Sequence, residues 1–240
     1  MSKKLTLFLL ASLVMINFVK AQNWGGGVDD DKLNWGFSFQ YIVSEYKLTK
    51  KSDWRKPFDE GAAPLTTISS PTSPGFGIGF VVNGNLLPNL DGRFTPTLVF
   101  NDRIIKYTYG PPQNYDLSTP MVKKKVSVTM VDFPVGIKLK SDRLLNFRAY
   151  MLGGLKYSID LASSKKGEEE DALEKLTNKK RFLSYEAGLG FDIYFEYFKM
   201  SPEVKLSYSF KDVLKHDMNP YANPIEKAQL RHFTFSLFFE

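Results

Sequence analysis

His232-Phe233-Thr234-Phe235-Ser236-Leu237-Phe238-Phe239 places Phe233, Phe235, Leu237 and Phe239 on one parity and His232, Thr234 and Ser236 on the other. A period of two sends successive side chains to opposite faces of a β-strand, so this stretch has an oily side and a wet side. Seven stretches upstream repeat the pattern. The first, from about Asn34 to Tyr46, sets Trp35, Phe37, Phe39, Tyr41 and Val43 against Gly36, Ser38 and Gln40. The second, Gly75 to Asn83, sets Phe76, Ile78, Phe80 and Val82 against three glycines. The others run from about Arg93 to Tyr107, Val122 to Lys140, Phe147 to Leu161, Phe182 to Phe195 and Phe198 to Phe210, and the eighth from Leu230 to Phe239. Connections after the odd-numbered strands are long and rich in Pro, Ser, Asp and Lys; those near Asn83 to Asp91, Ser141 to Asn146 and Glu196 to Tyr197 are short. This layout predicts an all-β fold, an eight-stranded antiparallel up-and-down transmembrane β-barrel of the outer membrane. Its termini and short turns share one end, expected to face the periplasm.

Alternation alone does not say which face is inside, because a secreted ligand-binding barrel of the lipocalin kind carries its oily face inward. Side-chain size favours lipid outside. The apolar faces are crowded with Phe, Tyr, Leu and Ile, while the polar faces mix Gly and Ser with charges. An eight-stranded barrel has an interior only just wide enough for side chains to fill. Lys156, Asp160, Glu186, Asp192, Glu203 and Lys205 all fall on the polar parity. A cation near the lipid midplane costs roughly 2–4 kcal/mol, so these six are expected in the lumen, as an ion-pair network that plugs it.

The N-terminus reads as a secretory signal over residues 1–21: Lys3 and Lys4, an apolar core from Leu5 to about Val19, and a small residue, Ala21, before the expected cleavage. That core is too short to span a bilayer as a helix. The expected organisation is therefore a signal peptide at 1–21, a short periplasmic tail at 22–33 and the barrel at 34–240. The signal holds three lysines and no acid, so of 32 basic and 26 acidic residues the mature chain keeps 29 and 26, a net +3 in place of +6. Basic residues are scattered instead of forming a stripe, which argues against nucleic acid as a partner. Cysteine is absent, which removes disulfides and thiolate metal sites.

In the fourth strand the apolar parity changes from Val126, Val128 and Met130 to Val131, Phe133, Val135, Ile137 and Leu139, with Pro134 just beyond the change. A β-bulge near Met130 is expected, leaving Val128 and Val135 both facing outward.

Little in the chain points to catalysis or metal binding. His216-Asp217 lies in the last long loop, where a rim hydrolase would place a histidine, but adjacent residues in an extended loop point apart. His232 is expected to hydrogen-bond in the lumen. The run Glu168, Glu169, Glu170 and Asp171 lacks the spaced ligands and turning glycine of a calcium loop. It suits either a short helix ending at Lys179, Lys180 and Arg181, with an Asp171 to Lys175 pair, or a disordered charged loop. Gly75, Gly77 and Gly79 precede no helix and make no nucleotide loop. No cofactor, metal or small-molecule partner is expected, and eight strands leave no porin channel.

Several segments are more particular than the barrel pattern. They include Asp132-Phe133-Pro134-Val135 with Lys138, Ser141-Asp142-Arg143 and Asn146-Phe147-Arg148-Ala149-Tyr150. Tyr197-Phe198-Lys199-Met200-Ser201-Pro202-Glu203 crosses a turn, and Arg93-Phe94-Thr95-Pro96 and Ser236-Leu237-Phe238-Phe239-Glu240 extend the set. In these the chain resembles the PorT/SprT family of Bacteroidota, associated with type IX protein secretion and gliding motility. The motif positions are Asp132, Pro134, Lys138, Arg148, Tyr150, Phe198, Lys199, Pro202 and Glu203; Asp132 stands where Glu is usual and Gly92 where a larger residue is. The resemblance implies a non-enzymatic outer-membrane barrel that supports assembly or operation of type IX secretion. Its partners would be outer-membrane lipid and other secretion components. The alternatives are a barrel that binds a surface ligand or adhesion partner through its outer loops, and a rim hydrolase using His216.

Overall fold

The computed structural model describes residues 32–56, 64–110, 121–161, 176, 178–216 and 220–240. The expected signal peptide, most of the N-terminal tail, the acidic run with its Asp171 to Lys175 pair, and Asp217 lie outside the described residues. Among the described residues ten strands follow in order: β1 (Leu33–Lys50), β2 (Leu65–Ser69), β3 (Ser73–Leu87), β4 (Leu90–Phe94), β5 (Thr97–Tyr109), β6 (Met121–Lys140), β7 (Phe147–Asp160), β8 (Arg181–Tyr194), β9 (Lys199–Ser209) and β10 (Ile225–Phe239). No helix occurs among the described residues.

These strands close a ring of eight. β4 and β5 are one barrel strand interrupted at Thr95-Pro96, where proline cannot donate to the ladder. The register is kept across the break on both sides, from Phe94↔Val135 to Thr97↔Asp132 against β6 and from Val82↔Phe94 to Gly79↔Thr97 against β3. The ring runs β1, β3, β4/β5, β6, β7, β8, β9, β10 and closes where β10 pairs antiparallel with β1. β2 adds to the loop-side end of β5. Full closure leaves no edge in the barrel wall. The short turns, the start of β1 and the end of β10 gather at one end, where Asn85 donates its N–H to the Lys32 carbonyl and Lys199 exchanges backbone hydrogen bonds with Glu240.

Toward the turn side of the ring, large apolar side chains stand outside. Trp35, Phe37, Phe39, Phe80, Ile137, Met151, Leu189 and Phe191 are all exposed, Trp35 by 77%. Ser38, Asp192, Ser201 and Ser236 face inward and are fully buried.

The expected bulge in the fourth strand is absent. β6 pairs without a shift against β5 from Thr108↔Met121 to Thr97↔Asp132, and against β7 from Met130↔Asp160 to Lys140↔Tyr150. Val126, Val128 and Met130 therefore point inward, on the same parity as Asp132, Lys138 and Lys140, and Val135 alone of the tested pair points outward. Pro134 keeps its place in the ladder by accepting the Thr95 N–H. What changes along β6 is the surroundings. Nearer the loops the outer face carries Lys123, Lys125 and, on β5, Asp102, with Lys125 paired to Asp102 at 2.7 Å. The inner face there turns apolar: Ile42, Tyr46, Ile105, Tyr107, Val126, Val128, Phe182 and Leu230 pack with Leu65 and Ile68 of β2, Leu176, Val213, Leu214, Ala222 and Ile225. Both faces exchange polarity at one level with no change of backbone register. That is the pattern of strands that continue from hydrocarbon into water, where an ordinary soluble core becomes the stable arrangement.

One further correction concerns the third long loop. Residues 178–181 do not close a helix: Asn178 bridges Leu214, Lys179 donates its N–H to the Val213 carbonyl, and Arg181 opens β8.

Candidate functional site

The lumen below the apolar dome is filled by charge. Inward parity on successive strands delivers Asp91 and Arg93 from β4, Arg103 from β5, Asp132, Lys138 and Lys140 from β6, Lys156 and Asp160 from β7, Glu186 and Asp192 from β8, and Lys199, Glu203 and Lys205 from β9. The side chain of Glu240, just past β10, is buried with them. Among the described residues this makes seven cations and seven carboxylates, so the plug is electrically neutral.

Arg93 holds its turn-side half together. Its Nη1 donates to Glu203 Oε2 at 2.7 Å, its Nη2 to Glu240 Oε1 at 3.2 Å and its Nε to Asn83 Oδ1 at 2.7 Å. The guanidinium also lies over the Phe238 ring, 4.6 Å from its centre. Lys199 reaches Glu240 at 2.7 Å, Lys140 reaches Asp91 at 2.6 Å, and Tyr150 donates its hydroxyl to Glu203 at 2.9 Å. Asp192 takes both oxygens to Lys138 at 2.7 Å and also accepts from Ser201. Such pairs add little net stability over apolar packing, but removing one partner strands a buried charge, so the lattice fixes a closed lumen.

Of the six residues expected in a lumen network, all are buried inside the barrel. Within the set, Lys205 pairs with Glu186 at 3.4 Å and with Glu203 at 3.7 Å. Lys156 instead meets Asp132 at 3.3 Å and His232 Nδ1 at 3.1 Å. Because Lys156 donates to Nδ1, the His232 ring proton sits on Nε2. Asp192 and Glu203 bind Lys138 and Arg93. Among the motif positions, Asp132, Lys138, Tyr150, Lys199 and Glu203 converge in the lumen and Pro134 is buried beside them. Phe198 and Pro202 lie on the outer face, Phe198 stacked on Phe195 at 4.7 Å, and Arg148 lies near the turns.

Asp91, Arg93, Arg103, Lys140 and Glu240 are the members to which the sequence reading assigns no role. The signal was present, since Arg93, Thr95, Thr97, Asn101 and Arg103 share one parity, and Glu240 continues that of His232, Thr234 and Ser236.

His216 does find a carboxylate, Asp212, at 3.1 Å. That carboxylate is a loop clamp: Lys179 binds it at 2.8 Å, and its other oxygen accepts the N–H groups of Ala228 and Leu214. Burial would raise the Asp212 carboxyl, but hydrogen bonds from Lys179, Ala228 and Leu214 outweigh burial and hold it below the usual range. Among the described residues no cluster of His, Asp and Glu is placed to hold a metal ion.

The turn-side end presents a different surface. A cavity of about 450 Å³ opens between Lys32, Leu86, Leu87, Lys140 and Arg148. Around it Leu86, Leu87, Leu144, Leu145 and Tyr197 are exposed, and Leu145 holds a φ of 55° that a non-glycine residue adopts only at a cost. That φ belongs to the tight turn itself, since Leu144 and Phe147 exchange both backbone hydrogen bonds across Leu145-Asn146 and Arg143 Nε donates to the Leu145 carbonyl at 2.7 Å. The exposed leucines around it form an apolar patch at the turn-side rim.

Residues 16–215 match the family model described as outer membrane protein beta-barrel domain. No curated protein matches the sequence at a significant level. Among solved structures, the outer membrane protein OprG from Pseudomonas aeruginosa aligns over 85% of this chain and 94% of its own, at 10% identity and a TM-score of 0.45. Neisserial surface protein A aligns over 87% and 98%, at 9% identity and a TM-score of 0.40. Outer membrane protein AlkL, determined by solid-state NMR in lipid bilayers, aligns over 85% and 86%, at 16% identity and a TM-score of 0.39.

Proposed function

Because the chain belongs to the outer membrane protein beta-barrel domain family, we propose that it is a non-enzymatic outer-membrane barrel that supports assembly or operation of type IX protein secretion, and gliding where the cell glides. It is exported by a cleaved signal at residues 1–21, and its termini and short turns face the periplasm. The secretion assignment is supported by the PorT/SprT resemblance, above all at 141–150 and 197–203. The observation that carries the form of the role is the sealed lumen. A neutral lattice of buried ion pairs under an apolar dome passes neither solutes nor proteins, so the barrel acts through its surfaces. The turn-side Leu86, Leu87, Leu144 and Leu145 beside Lys32, Lys140 and Arg148 are the surface that would meet another component.

Deleting the gene tests this. Type IX substrates are expected to accumulate in the periplasm and gliding to fail, with both restored by the wild-type barrel. Normal secretion in the deletion strain would overturn the reading and favour a barrel that binds an adhesion partner through its outer loops.

A further inference from the structure

The outer face carries a second cavity, of about 500 Å³, where β8, β9, β10 and β1 run side by side near the loop-side end. Register resolves its lining into two rows that cross the four strands. The lower row is Ala187, Leu206, Phe233 and Val43, and the upper row is Tyr185, Tyr208, Arg231 and Glu45. Below them lies a third row, Leu189, Val204, Phe235 and Tyr41, that belongs to the lipid-facing belt. Ala187 is the smallest side chain of these rows and makes the hollow, and Thr72 and Ser207 complete the lining.

The groove therefore begins in hydrocarbon and ends at the level where the outer face turns polar. Its floor is apolar and its upper wall is a stacked pair of tyrosines, Tyr185 and Tyr208, 5.9 Å apart. At its upper edge Arg231 pairs with Glu45, and Lys47 places its ammonium 5.8 Å from the centre of the Tyr208 ring. Two cations against one carboxylate leave that edge net positive. Its volume is within the roughly 300–1,000 Å³ of small-ligand sites. We propose that this groove is a binding site for one anionic, phosphate-bearing lipid of the loop-side leaflet, an acyl chain on Ala187, Leu206 and Phe233 and its headgroup at Lys47 and Arg231. Continuity with the belt supplies the hydrocarbon, and the net positive edge selects the headgroup. This inference rests on membership of the outer-membrane barrel family and is independent of the secretion role.

The test is native mass spectrometry of the full barrel taken from nanodiscs of equimolar phosphatidylglycerol and phosphatidylcholine. The wild type is expected to retain one phosphatidylglycerol about fivefold over phosphatidylcholine, the effect of one interfacial cation. Ala187→Trp, which fills the hollow, is expected to lose the retained lipid at least tenfold (an order-of-magnitude expectation), while Lys47→Gln keeps a lipid but loses the headgroup preference. Leu155→Trp, on the outer face of β7 away from the groove, is expected to behave as wild type. Heat-shifted mobility of the folded barrel in gels verifies that each variant is folded. Retention by Ala187→Trp equal to wild type, equal retention of the two lipids by wild type, no lipid on wild type, or loss in Leu155→Trp as well would each overturn the proposal.

Discussion

Tyr150 and Gly190 face each other across β7 and β8 so closely that a Cβ on Gly190 would lie 2.4 Å from the tyrosine ring. The missing side chain seats the ring, and the seated ring delivers its hydroxyl to Glu203. Gly190→Ala is expected to cost about 1–3 kcal/mol through overpacking. The cost should shrink in a Tyr150→Ala background, where the ring is gone and only the Pro202 carbonyl, 2.9 Å away, remains close. A double-mutant cycle on urea unfolding in detergent measures this, and simple additivity would contradict the coupling.

Arg93 bridges Glu203, Glu240 and Asn83, so Arg93→Gln leaves two buried carboxylates short of a cation. Lys199 and Lys205 still attend them, which places the expected loss near 3 kcal/mol, the lower end for a broken buried pair. Arg93→Lys should recover only part, because an ammonium does not reproduce the guanidinium fork. An unchanged urea midpoint for Arg93→Gln would show that the remaining lysines suffice.

The exchange of polarity along β6 is checked by spin labels at three sites. A label at Val135 should be accessible to oxygen dissolved in lipid, one at Lys125 to a water-soluble relaxer, and one at Val128 to neither. Lipid exposure at Val128 would restore the bulge that the register excludes. By the same logic, Val135→Lys should cost roughly 2–4 kcal/mol and Lys125→Leu close to nothing.

Asp212 supplies a pH dependence outside the membrane. Its folded pKa lies below its ordinary value of 3.8, so its contribution is fully present above that value and is lost as the pH falls through the folded one. The clamp on the last loop is therefore expected to hold unchanged from neutral pH to about 4 and to release in stronger acid. Hydrogen exchange at the Ala228 amide reports it, and Asp212→Asn should abolish the acid step.

Under the proposed role, Leu144→Ser with Leu145→Gly keeps the barrel folded, since both side chains are exposed and glycine relieves the positive φ at 145. The same variant should fail to restore secretion in a deletion strain. Full restoration would remove the turn tip from the docking surface.

Much of this architecture was legible in the sequence because parity is a hard constraint. Eight alternating stretches gave eight ring strands, and the six inward charges could be read from their neighbours' oiliness. Their partners were less legible, because a ladder fixes which face a residue occupies while long side chains choose contacts across the lumen. Lys156 reaches Asp132 and His232, and Glu203 reaches Arg93 110 residues away. The bulge at Met130 failed for a physical reason. Apolar parity marks whichever face is away from water and not one face throughout, and β6 passes from one solvent to another. Pro134 demands no bulge either, since a strand keeps its register when the missing donor falls where a neighbour needs only a carbonyl, as the Thr95 N–H does.

The seam between β1 and β10 joins Phe37 to Phe239 and continues to Lys50 and Ile225. These contacts have nearly the greatest sequence separation the chain allows, so they form late and slowly. Until the final strand arrives, both ends of the growing sheet present unpaired amides and carbonyls, and a sheet in that state invites pairing with other chains. Delivery to the membrane is therefore the vulnerable stage in the life of this protein, and cells that make it must keep an open-edged intermediate apart from others until its last residues lock the first.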